Sequence, residues 1–203
     1  MAGARLSAIT SGMMTLPRVA WVLLIGLTAA LAFGGAAQAG TLGACIWGKL
    51  SPAEQGRVLD AYGRDMSAGA GALQKMDAKL KLKTAACAKR GDVPPDRIQT
   101  IVGSEAVQIW AASALHLPRA KLDAAWAAAP PDVAACVRAN GRLAFFSNGL
   151  GCANPALSTW LVRRAGLDPA RQPAARQAIY YFNAKAIGEW GDQLVATPPA
   201  KPR

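Results

Sequence analysis

The chain has 203 residues, a net charge of +11 and 52% hydrophobic side chains. That length holds one domain, and the basic balance points to a self-repelling surface or to an anionic partner. A single histidine and four cysteines without any C-x-x-C exclude a c-type haem and leave no zinc cluster, so neither metal nor cofactor is expected.

Residues 1–39 have the order of a signal peptide. Arg5 and Arg18 are their only charges, Val19 to Phe33 is apolar, and Ala37-Gln38-Ala39 is an A-x-A cleavage site. The expectation is removal after Ala39 and export to the periplasm or beyond. The apolar run is shorter than the roughly 20 residues of a spanning helix, and no later run is longer. No transmembrane segment is therefore expected in the mature chain. Export also disfavours nucleic acid as a partner and permits disulfides.

Cys45, Cys87, Cys136 and Cys152 all follow the cleavage site. Four cysteines allow three pairings. The expectation is Cys45–Cys87, closing the base of a helix hairpin, and Cys136–Cys152, closing a short Gly-rich loop. The competing reading takes Leu42-Gly43-Ala44-Cys45 as a lipobox, with Cys45 acylated and the domain lipid-anchored.

The rest is punctuated as helices. Ser51-Pro52-Ala53-Glu54 is a capping box, followed by Val58, Leu59, Tyr62 and Met66 on one face. Ser67 to Gly71 is expected to break the run. A second helix is expected over 72–89, with Leu73, Met76, Leu80, Thr84 and Cys87 along one stripe, packed antiparallel on the first. A long helix follows over 95–117, buried through Ile98, Ile101, Val102, Ala106 and Ile109. A shorter one over 118–129 holds Leu122 and Trp126. Pro130-Pro131 starts another, which Asn140-Gly141 is expected to stop. Arg142 to Gly151 is open between a short strand and a helical turn. Asn154-Pro155 and Asp168-Pro169 are further helix starts. The last helix runs over about 173–195 with Ile179, Phe182, Ala186 and Trp190 inward. The Pro-rich basic tail, 197–203, is expected to be disordered. The fold class is all-α: a disulfide-stapled, irregular bundle of about seven helices in one domain, 40–196.

Three candidate chemistries stand out. Any Ser-His or Cys-His catalysis must use His116, which sits at a helix end where the dipole favours its protonated form, so it reads as a capping residue. Glu105 falls in the middle of an apolar stripe. It is the one candidate general acid, with Asp123 or Asp132 as a conceivable second carboxylate, as glycan cleavage requires. The simpler reading pairs it with a buried cation. Lys75, Lys79, Lys81, Lys83, Lys89 and Arg90 form the densest basic patch, against Asp77 as the lone acid. Trp126, Trp160 and Trp190 read as core, while Trp110 lies off its helix's main stripe.

The expected function is that of an exported, non-enzymatic envelope protein, binding another protein or an anionic envelope component through the basic patch. The alternatives are a cell-wall glycan-cleaving enzyme using Glu105 and a lipoprotein accessory factor anchored through Cys45.

Overall fold

The structure, a computed structural model, describes residues 41–88, 93–147 and 155–196, with side chains at 41–88, 93–139 and 159–193. Residues 1–40 (which include the expected signal peptide), Lys89, Arg90, Cys152 and the tail over 197–203 lie outside the described residues. Among the described residues every regular element is a helix. They are α1 (Leu42–Gly48), α2 (Pro52–Arg64), α3 (Met66–Gln74), α4 (Asp77–Ala85), α5 (Pro95–Ala114), α6 (Arg119–Ala127), α7 (Pro131–Ser147), α8 (Pro155–Arg164) and α9 (Gln172–Ala196).

Nine described helices replace the expected seven for local reasons. Thr41 Oγ1 accepts from Ala44 N at 3.1 Å and starts a helix around Cys45 that no periodicity announced. Ser67 to Gly71 does not break the chain. Asp65 ends α2 in an extended conformation, and its carboxylate accepts from Ala68 N at 2.7 Å, so α3 begins at once. The expected second helix is instead interrupted at Lys75 and Met76. Asn140-Gly141 does not stop α7, which continues to Ser147 and takes in the segment left open between strand and turn. His116 does end a helix. It has φ 52°, and the bonds His116 N to Ser113 O and Leu117 N to Ala112 O, both 3.0 Å, close the C-terminus of α5.

The long helices α5 and α9 pack against each other in the middle. Both are buried on all faces over part of their length: Ile101 to Gln108 without interruption in α5, and Tyr181 to Ala184 in α9. One hydrophobic cluster lies among α1 to α5, around Ile46, Val58, Tyr62, Leu73, Leu80 and Val102. The other lies among α5 to α9, around Leu122, Val133, Val137, Leu161 and Phe182. At Gly43 an added Cβ would stand 2.7 Å from the Ile101 carbonyl oxygen, so only glycine lets α1 lie this close on α5. Leu42 N also donates to Asp192 Oδ1 of α9 at 2.8 Å.

Cys45 of α1 and Cys87, just beyond α4, form a disulfide with Cα atoms 5.8 Å apart. It joins the two ends of the segment that holds α2, α3 and α4. Cys136 is not a free thiol. The other half of the expected Cys136–Cys152 pair lies outside the described residues.

Three exposed carboxylates at helix starts make stability pH-dependent. Glu54 is held at about 2, below its ordinary 4.5, by Lys79 first and by Ser51 N and Oγ next. Ser67 Oγ and Ala68 N lower Asp65, and Lys81 and Gln99 lower Asp77. A depressed acid stabilises the folded chain above its unfolded value and stops doing so as pH falls towards the folded one. The melting temperature should therefore decline between pH 4.5 and about 2, and Glu54→Gln should flatten part of that decline in a thermal melt series. An unchanged slope in Glu54→Gln would show that the capping box carries none of it.

Candidate functional site

Glu105 is buried, at 4% exposure, by the packing of α5 under α1 and α9. It is not alone. Arg119, in the first turn of α6, reaches back so that Nη1 donates to Glu105 Oε1 at 2.6 Å and Nη2 to Oε2 at 3.4 Å. Nη2 also donates to Gln108 Oε1 at 3.1 Å. Burial, the largest single influence, opposes the guanidinium charge, but the Glu105 carboxylate and Tyr181 together outweigh it and leave Arg119 above its ordinary range. Asp123, the conceivable second carboxylate, accepts from Tyr181 Oη at 2.9 Å and pairs with Lys185 at 2.7 Å. Tyr181 is raised, by burial first and then by Asp123. Asp132 is exposed and has no ion pair among the described residues. A general acid must present a proton to a substrate, and Glu105 instead accepts from the guanidinium on both oxygens. The arrangement is that of a paired, positioned carboxylate.

His116 is exposed at the end of α5, with no partner suited to catalysis beside it. Among the described residues no three His, Cys, Asp or Glu converge as a metal set. No described helix is long and apolar enough to cross a membrane. The Cys45 sulfur is taken up by Cys87, which leaves no thiol there for an acyl chain.

The basic patch is split. Lys79 pairs with Glu54, and Lys81 with Asp77 at 2.6 Å. Lys75 and Lys83 have no ion pair among the described residues. At about 100° per residue, Leu82 lies opposite buried Leu80 and Thr84 on α4, with exposed Lys79 and Lys81 to its two sides, while half-buried Lys83 lies next to the buried stripe. Leu82 is 76% exposed, the one large apolar side chain among the described residues that stands in solvent. Sequence reasoning missed it, although Leu80 and Thr84 on the buried stripe already put Leu82 on the far side. Arg57, Arg64 and Lys75 line a shallow groove between α2 and α3, with Asp60 as its acid.

A second groove, of about 730 Å³, lies where α2 and α3 meet α8 and α9, and Trp110 of α5 forms part of its wall. Trp110 was singled out by its position off the main stripe, and its ring lies 6.2 Å from Tyr180. Trp47, Trp126, Trp160 and Trp190 all belong to or flank the hydrophobic clusters.

No family model, no curated protein and no solved structure matches this chain.

Proposed function

We propose that this is an exported, non-enzymatic envelope protein that rests on an anionic lipid surface through the outer face of α4. The observation that carries the reading is Leu82, exposed on the outer face of α4 with Lys79 and Lys81 to its two sides. A single exposed leucine is ordinary on a protein surface, but beside lysines it suits an anionic lipid surface, where the apolar tip enters the headgroup boundary while the lysines meet the phosphates. Lys81 pairs with Asp77 near the surface, where a phosphate can compete for it. Arg57 and Lys75 line the groove between α2 and α3 and add to the chain's positive charge. The disulfide and the absence of a spanning helix among the described residues fit an exported chain. The salt bridge on Glu105 speaks against the glycan-cleaving alternative.

Vesicle flotation tests it. The oxidised chain should bind phosphatidylglycerol vesicles at low salt, release as sodium chloride rises, and ignore phosphatidylcholine. Lysines near such a surface contribute about 1 kcal/mol each, so Lys79→Gln with Lys81→Gln should weaken binding roughly thirtyfold. Leu82→Asp should also reduce it. Equal binding to both lipids, or indifference to salt, refutes the lipid surface. Material recovered from the native host should begin at Gly40 and carry no free thiol.

A further inference from the structure

We propose that the groove walled by Tyr62, Met66, Trp110 and Tyr180 binds a planar apolar anion, an aromatic carboxylate or sulfonate, with Arg64 and Arg176 meeting its charge. This site is distinct from the lipid-facing side of α4 and goes beyond it.

The groove's size, about 730 Å³, falls within the range of small-molecule sites. Three aromatic rings, Tyr62, Trp110 and Tyr180, stand in its wall, the last two at 51° to each other. Such walls favour a flat ligand that packs face or edge against them. Room in front of Trp110 comes from Gly63, where an added Cβ would meet the indole Nε1 at 3.8 Å. The Tyr62 ring is fixed, because it lies directly on Gly69 of α3, where an added Cβ would be 2.2 Å from its Cδ1.

Charge selects the ligand's sign. Arg64 and Arg176 both line the groove, both are exposed, and neither has an ion pair among the described residues. Asp65, the acid on the same wall, stays ionised as the cap of α3, bonded by Ser67 Oγ at 2.6 Å and Ala68 N at 2.7 Å, and against its one negative charge the two guanidiniums leave the groove net positive. The first turn of α9, where Gln172 lines the groove, contains no acid, so its dipole adds to the positive field.

The probe is 2-naphthoate, titrated into the oxidised full domain and read by calorimetry and by tryptophan fluorescence. Saturable one-to-one binding is expected, with the neutral 2-naphthylmethanol weaker by about tenfold or more, the size of one charge-assisted bond. Arg176→Gln should weaken naphthoate to a similar extent without moving the melting temperature. Equal affinity for the neutral alcohol, or an Arg176→Gln variant that binds like the parent, overturns the proposal. So does the lack of any saturable signal up to millimolar naphthoate.

Discussion

Replacing Cys45 and Cys87 together by alanine should lower stability by about 4 kcal/mol, the loop-entropy value for a bridge of this span. The two cysteines are 42 positions apart, and the bridge closes the segment that contains α2, α3 and α4. Those are the helices with the least core of their own: α3 buries Gly69 and Leu73, and α4 buries Leu80 and Thr84. Without the crosslink the unfolded chain regains its freedom, while the native contacts of α4 are too few to compensate. For a domain of this size the change corresponds to a fall of about 10 °C in melting temperature. Circular dichroism melts of the parent and the double variant check it. A fall below about 2 °C would mean that the α2–α4 segment is held by packing alone.

The ion pair on Glu105 should show an asymmetry between its partners. Arg119→Leu leaves a carboxylate whose side chain is 5% exposed without its cation. Breaking a buried pair in this way costs about 3 kcal/mol, at the lower end of the usual range because Arg119 itself is 38% exposed. Glu105→Gln should cost only about 1 kcal/mol, since the amide still accepts from the guanidinium and Arg119 can turn towards water. Combining the two should recover much of the loss from Arg119→Leu, because no lone charge then remains inside. Denaturant midpoints of the three variants decide it. Equal losses from the two single changes would show that neither partner is the buried one in energetic terms. An activity on peptidoglycan that vanished in Glu105→Gln with the midpoint intact would instead revive the glycan-cleaving alternative.

The all-α class was legible because apolar residues recur at helical spacing and because Ser51-Pro52 and Pro95 mark starts that the structure keeps. What periodicity could not reveal is where a side chain from elsewhere completes a helix. Around Cys45 a capping threonine and a carboxylate 150 positions away make a helix of a segment with no stripe of its own. At Asn140-Gly141 the local stop signal yields to the continuation of α7. The phase of Glu105 on α5 already implied burial, but its cation sits on another helix, and only folding back of α6 reveals it. The basic patch was legible as composition. Its division into paired Lys79 and Lys81 and unpaired Lys75 and Lys83 depends on where Glu54 and Asp77 come to rest. The aromatic groove was the least legible, since Tyr62, Trp110 and Tyr180 come from three separate helices.

The bond from Leu42 N to Asp192 sets an order on folding. A chain that emerges N-terminus first delivers the first helix long before the last. Until α9 emerges, the Leu42 amide has no carboxylate and the surface of α1 that carries Leu42 has no cover. The sulfur link needs only the chain up to Cys87, so it can close earlier and keep α1 near its final place during the wait. The nascent domain is thus most exposed to aggregation between those two moments.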